Sequence, residues 1–309
     1  MLAKQIRGVE NGVTLGDLKE EDLHDVLKIH TCSDYLPSTY MLTAPNIPVL
    51  LAPPTLNGVL VINLKCIAEK EFLLHHTVHT IATDWLCCNG VIHTVNGVML
   101  PPPTSLSTVS LLPPTEFSTF QTAHATTGLA TELAETSQKG GIIFIPTNAA
   151  FTTLGSSANN FLFSGTVESL KYLTVLLKYH IVRNETFYSN IHYKNPALSY
   201  DYEHKKLVRE EAKKHALRHI SGVRRRCVTS WLGPLVIIDL KRDGGKIDIK
   251  INGTAIEARD GNASDGVVHA LGGVLVPPPK DGEDDWDEKE WDKREWQVEE
   301  LTKRLGSWL

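Results

Sequence analysis

The sequence predicts a globular protein of mixed helices and strands, about two domains long, in which one unit occurs twice. Three observations carry that expectation. The run Asn89–Pro103 returns without a gap as Asp265–Pro279: a β-branched stretch around a central histidine (His93, His269), a two-residue turn (Asn96-Gly97, Gly272-Gly273), a short apolar stretch and three prolines. The helix-like ending Lys28-Ile29-His30 returns as Lys178-Tyr179-His180. A chain of 309 residues has room for two domains of ordinary size. Each copy of the first motif reads as a β-hairpin closing a domain. The turn residues supply the positive φ that a tight hairpin needs, and the prolines, which have no N–H, stop the ladder.

Taken in order, residues 1–16 are weakly patterned and expected to be poorly ordered. Asp17 with Glu20 resembles a capping box, and Leu23, Val26, Leu27 and His30 keep helical spacing, which predicts a helix over 17–30. Residues 31–70 read as extended and turn-rich with a strand at 59–62, and 71–85 as one strand entering the first hairpin. The Pro/Thr/Ser-rich stretch that follows reads as a linker, 104–112. Thr115 begins a helix with Phe117 and Phe120 on one face, ending near Gly128, and a shorter helix covers 129–135. Ile142–Ile145 is an apolar strand. Pro146-Thr147-Asn148 after it offers a hydroxyl or amide to cap the next helix, whose first N–H groups lack partners. A longer helix over about 166–179 turns Leu170, Leu173, Leu176 and Leu177 to the core.

His30 and His93 are 63 positions apart, His180 and His269 are 89 apart, so the second half carries about 26 extra residues. The basic, helix-prone stretch 203–226, with Arg224-Arg225-Arg226, is their expected place. Strands follow at 235–240 and 247–251, the latter alternating Ile with Asp and Lys, and Asn252-Gly253 is a strong turn signal leading to 255–258. Residues 280–309 turn acidic and tryptophan-rich. Trp291, Val298, Leu301, Leu305 and Trp308 fall at helical spacing, an amphipathic terminal helix that docks on the body or a partner.

Composition excludes some classes. The net charge of −5 gives no global reason to expect nucleic acid. No apolar run reaches the roughly 18–20 residues that span a bilayer, the first twenty residues lack an apolar secretion core, and the charged C-terminus is no lipid-anchor tail. The five cysteines form neither a repeated framework nor a CxxC pair. There is no G-x-S-x-G elbow, no phosphate-cradling glycine loop and no carboxylate pair at a telling spacing, so no catalytic residue, metal or cofactor is expected.

Residues 113–279 resemble a fasciclin domain nearly end to end. The residues that carry this are Leu112–Phe117, the strand–cap–helix run Phe144–Phe151, Leu177-Lys178-Tyr179-His180, and Gly266–His269 through Val276-Pro277. Residues 17–103 resemble the C-terminal half of a second such domain. Thr115 to His180 spans 65 positions but only 29 residues precede His30, so the first domain reads as N-terminally truncated, which would also account for the missing secretion signal. Ile29 stands where tyrosine is expected, and His76-Thr77 where the second copy has Asn252-Gly253. Asn184–Ser189 is similar to fungal members of the family. The resemblance implies an α+β fold, a β-sandwich wedge with packed helices in two tandem copies, the first incomplete. It implies a noncatalytic secreted or cell-surface glycoprotein acting in adhesion or in matrix and cell-wall contacts, with a protein or polysaccharide partner. The alternative is an intracellular scaffold of the same fold that engages a partner through its acidic tail.

Each candidate site has a plainer reading beside it. Tyr179 and His180 match a motif that the resemblance links to receptor binding, but a helix-end aromatic usually packs. His30, His93, His180 and His269 recur at matched positions and read as structural histidines with both ring nitrogens paired, as Thr147 and Asn148 read as caps. His75, His76 and His79 would bind zinc on a helix; on the expected strand His75 and His79 are about 13 Å apart, too far to share one ion. Asn184, Asn252 and Asn262 head glycosylation triplets, Asn252 at an expected hairpin tip. The basic stretch either binds phosphate groups or is a solvated insertion; the second is preferred.

Overall fold

Two sheets built in the same internal order organise the chain. The computed structural model describes residues 19–309 except 57, 69–70, 76, 136–138, 191, 195–222, 244–245 and 281–294. In the N-terminal unit, helix α1 (Glu20–Ile29) and the single turn α2 (Ser38–Met41) precede strands β1 (Asn46–Pro48), β2 (Val61–Ala68), β3 (Glu71–Leu74), β4 (Val78–Cys87) and β5 (Gly90–Val95). They form an antiparallel sheet in the order β1-β2-β3-β4-β5. α1 buries Val26 and lays Ile29 onto a core with Leu60, Ile62, Phe72, Val78 and Met99.

The C-terminal unit starts with helices α3 (Ser105–Leu111), α4 (Pro114–Thr127) and α5 (Leu129–Glu135), strand β6 (Gly141–Pro146), and helices α6 (Asn148–Thr153), α7 (Ser156–Leu162) and α8 (Val167–Tyr179). Strands β7 (Ile181–Arg183), β8 (Glu185–Phe187), β9 (His192–Lys194), β10 (Val223–Thr229), β11 (Leu235–Asp243), β12 (Lys246–Ile251), β13 (Thr254–Ala263) and β14 (Gly266–Leu271) follow, and helix α9 (Val298–Gly306) ends the chain. Its large sheet runs β10-β11-β12-β13-β14-β6-β7. The first five places repeat the N-terminal sheet. β6 then lies parallel to β14, with Val268 opposite Ile143 and His269 opposite Phe144. Being buried on both faces, β6 is apolar throughout, as its sequence foretold.

The caps form as expected. Thr147 accepts from the Ala150 N–H at 3.2 Å, and Gly128 ends α4 in the left-handed conformation, φ 67°. Asn148 does a different job: its Oδ1 accepts from the Thr119 N–H at 2.9 Å and its Nδ2 donates to the Pro114 and Thr115 carbonyls, tying α6 to α4.

Several expectations are corrected. The repeated motif is not a hairpin: Asn96-Gly97 and Gly272-Gly273 are bends, and the apolar residues beyond them join no strand. The true hairpins turn at Cys88-Asn89 and Ser264-Asp265. The expected strand 71–85 is two strands, broken where His75 takes φ 48°, so His75 and His79 do not share a strand. The linker at 104–112 is a capped helix: Thr104 accepts from Ser107 and Val109 is buried. Arg224–Arg226 lie in strand β10, where Arg225 pairs with Asp239 at 2.7 Å; residues 203–222 lie outside the described residues, as do 1–16, Asp17, His76 and Trp291. The terminal helix exists and docks Leu301 and Leu305 against the helices of the C-terminal unit, with Trp296 buried beside them.

Candidate functional site

The repeated residues build one polar frame twice. In the C-terminal unit His180 caps α8, its Nδ1 bonding the Leu176 carbonyl at 2.8 Å while Nε2 accepts from the Leu275 N–H at 2.9 Å. In the N-terminal unit His30 Nδ1 bonds the Val26 carbonyl at 2.7 Å and Nε2 accepts from the Met99 N–H at 3.0 Å. That is why the apolar stretch after each bend joins no ladder: an N–H it would have offered to a strand goes to the histidine. The second histidines match too. His269 Nε2 bonds the Phe187 carbonyl and Nδ1 accepts from the Asp260 N–H; His93 makes the same pair with the Leu36 carbonyl and the Asp84 N–H. Asp84 and Asp260 both sit at positive φ, 64° and 60°, and each carboxylate accepts from the N–H and hydroxyl of one serine, Ser38 or Ser189. Burial pushes the His180 imidazole down to about 4, and it lowers His269 against the opposing pull of Asp260, so both rings are neutral.

Asp260 also clamps the units together. Its carboxylate accepts from Asn46 Nδ2 at 3.0 Å and its carbonyl from Asn63 Nδ2 at 2.7 Å. Asn262 Nδ2 donates to the Val61 carbonyl at 2.6 Å, and Asn190 Nδ2 to the Asn46 carbonyl at 2.9 Å. Val61 itself belongs to the apolar core of the C-terminal unit. This seam of asparagines was not legible in the sequence, because no spacing rule links residues 144 to 214 positions apart.

Where the frames match, their surroundings differ. Leu173 and Leu177 on α8 are 1% exposed; their counterparts Leu23 and Leu27 on α1 are 36% and 59% exposed. Val268 on β14 is 6% exposed, while Ile92 at the same place on β5 is 57% exposed. In the C-terminal unit β6 and the helices around it cover this face. Among the described residues no strand pairs with the outer edge of β5. Among the described residues the N-terminal unit therefore presents an aliphatic face beside an unpaired strand edge, with Val98 also exposed.

The sequence profile described as the Fasciclin domain matches residues 115–277, more than half of the chain. The chain belongs to the fasciclin domain family. Fasciclin domains are typically nonenzymatic adhesion modules, commonly extracellular or surface-associated, and they suggest partners of the protein type. A curated relative from the fungus Gibberella zeae, "Aurofusarin biosynthesis cluster protein S", is 34% identical over 110 residues, which is 35% of this chain. The chain spans about a quarter of that relative, 26%. A solved structure of a FAS1 domain pair from the insect cell adhesion molecule Fasciclin I aligns over 94% of this chain and 87% of its own, at 15% identity and a TM-score of 0.41. No helix among the described residues is long and apolar enough to cross a membrane.

Within this fasciclin fold the expected contact residues are not on the surface. Tyr179 and His180 are both fully buried, so neither can meet a receptor. The Tyr179 hydroxyl donates to the Leu235 carbonyl at 2.9 Å and accepts from Asn252 Nδ2 at 2.7 Å, and burial drives its pKa above the ordinary range. Asn252 does occupy the turn, at φ 47°, but its side chain folds inward and is 1% exposed. The amides of Asn252 and Asn262 are buried and already donating, so a glycan has no room on either. Asn184 is half-buried, and its Oδ1 accepts from the Lys139 N–H at 3.0 Å. His269 is buried as expected, His93 is half-buried, and His30 is exposed, because its unit has less packed around α1.

Proposed function

We propose that this chain is a noncatalytic surface or secreted adhesion protein, one complete fasciclin module at 113–279 beside the C-terminal half of another at 17–103. It makes its contact through the N-terminal unit. The observation that carries this reading is the matched pair of faces: Leu23, Leu27 and Ile92 stand open where Leu173, Leu177 and Val268 are covered. The C-terminal unit supplies a template for the complement, an apolar strand laid parallel to the edge and followed by helices. A protein segment of that kind satisfies both the open backbone edge and the aliphatic side chains, whereas a polysaccharide would leave the leucines unmatched. Covering the exposed parts of three such side chains supplies about 0.5–2 kcal/mol each, which an edge ladder then supplements. The acidic tail is the weaker candidate, because Leu301, Leu305 and Trp296 of the terminal segment are already packed on the body. The test is adhesion of protein-coated beads to fungal hyphae. Wild-type beads should adhere, and Leu27→Asp with Ile92→Lys, both at exposed sites, should abolish adhesion with no loss of folding. Adhesion unchanged in the double variant overturns the reading. Recovery of native full-length protein from the cytosol alone overturns the surface location.

A further inference from the structure

Three arginines gather on one face of the C-terminal sheet, around a recess of about 60 Å³. Arg224 and Arg226 are alternate residues of β10, so they point to the same side, about 7 Å apart along the strand. The register sets Arg224 opposite Leu240 on β11. Arg242, two residues further on, therefore lies on that side too, diagonal to Arg224 and within reach of a long side chain. All three are exposed, and they line the recess with Tyr188, Ser189 and Asn190 of the segment after β8. Arg225 points the other way and is spent on Asp239, which accepts from it twice at 2.7 Å.

The recess has cations without matching anions. Among the described residues no Asp or Glu lines it. Asp260 touches Ser189, but it is buried and its carboxylate already accepts from Ser189 and from Asn46 Nδ2. Arg224 and Arg242 make no ion pair among the described residues. The Arg242 guanidinium gives one N–H to the Ser189 carbonyl at 2.9 Å, which ties it to the wall. Inward charges guard the edges of sheets, and β10 is the last strand of its sheet. That reason does not reach Arg242, whose strand is paired on both sides. Three like charges this close repel one another, and a multivalent anion between them turns the repulsion into attraction. A recess of this volume admits about four water-sized atoms, the size of one tetrahedral oxyanion.

We propose that this recess binds the phosphate monoester group of a small molecule, held by the guanidinium forks of Arg224 and Arg242 with Arg226 beside them. A monoester carries close to two charges at neutral pH, and its oxygens accept from a planar guanidinium two at a time. The inference is independent of the adhesion reading, since the C-terminal unit alone builds the recess.

The probe is phenyl phosphate, titrated into the full chain by calorimetry at pH 7.5. Phenyl sulfate, of the same shape with one charge fewer, is the comparison. The phosphate should bind saturably at one site, and the sulfate about three- to fivefold more weakly, the effect of one partly exposed charge. Arg224→Gln with Arg242→Gln should weaken phenyl phosphate about tenfold or more, because two charge-assisted contacts are lost. Lys241→Gln removes a positive charge from the opposite face of β11 and should leave the affinity unchanged. On the wild-type protein the Nε–H signals of Arg224 and Arg242 should shift during the titration, a readout that stands whether or not the variants fold. Absence of saturable binding, a sulfate as tight as the phosphate, equal weakening by Lys241→Gln and the double variant, or unmoved arginine signals would each overturn the proposal.

Discussion

Acidification should destabilise this fold before its carboxylates are protonated. The imidazole of His180 is neutral in the folded chain, held down to about 4 by burial, whereas in the unfolded chain it returns to about 6.5. The folded value is the lower one. The contribution is therefore complete above pH 6.5, is lost as pH falls from 6.5 toward 4, and is flat below that. The full gap corresponds to about 3 kcal/mol, a large part of the 5–15 kcal/mol typical of a folded domain. His180 alone should cost nearly one proton's worth of stability per pH unit, about 1 kcal/mol, between pH 6 and 5, and burial moves His269 and His124 in the same direction. Carboxylates in the unfolded chain titrate near 4, so this window belongs mainly to histidine. Urea unfolding followed by tryptophan fluorescence at half-unit pH steps measures the slope. A flat profile between pH 6.5 and 5 would mean that the histidines titrate alike in both states, and the buried neutral frame would be refuted.

Four further outcomes are expected. Asp260→Ala should cost about 3–5 kcal/mol by urea unfolding, because it strands the Ser189 N–H and hydroxyl and Asn46 Nδ2, whereas Asp84→Ala in the more open N-terminal frame should cost about 1–2 kcal/mol. Equal costs would contradict the double use of Asp260 as frame and clamp. Tyr179→Phe should destabilise by about 1–3 kcal/mol in the same assay, since it leaves Asn252 Nδ2 and the Leu235 carbonyl unsatisfied, and should leave bead adhesion unchanged. Glycosidase treatment of native secreted protein should remove no glycan from Asn252 or Asn262, with peptide mapping as the check. Iodoacetamide at pH 7.5 should label the exposed Cys66, Cys87 and Cys88 well before Cys32, whose thiol is pushed up to about 11 by burial and by Asp34.

Much of the C-terminal unit could be read from its residues. Phe117 and Phe120 placed α4, four apolar residues placed β6, Thr147 marked the next helix, and the leucines at helical spacing placed α8 to within a residue. Local pattern sufficed there because the same residues that favour each element also pack it. It failed where a long-range bond decides. Val98-Met99-Leu100 has a strand's composition, but the Met99 N–H is taken by His30, 69 positions away, so no ladder forms. Helix α7 was missed because Ser156, Ser157, Asn159 and Asn160 dominate it, and its apolar residues, Ala158, Phe161 and Leu162, are too few to set a helical period. Helix α3 was taken for a linker because Ser and Thr dominate it, and only the cap at Thr104 gave a local signal. The frame histidines were recognised as structural from their recurrence, yet their shared partners Asp84 and Asp260 were not, since a lone Asp in a strand carries no pattern. The direction of a side chain is equally hidden: Asn252 was placed correctly in a turn, and nothing in Asn-Gly says that the amide points inward to Tyr179.

The central claim is that two equivalent frames differ in what covers them. Residue-resolved hydrogen exchange on the full chain compares them directly. Alternate amides of Val91–Val95, on the outer edge of β5, should exchange at near-solvent rates. Their counterparts in Val267–Leu271 should be protected by β6, while the Met99 and Leu275 amides are both slowed by their histidines. Equal protection along the two strands, or a fast Met99 amide, would contradict it.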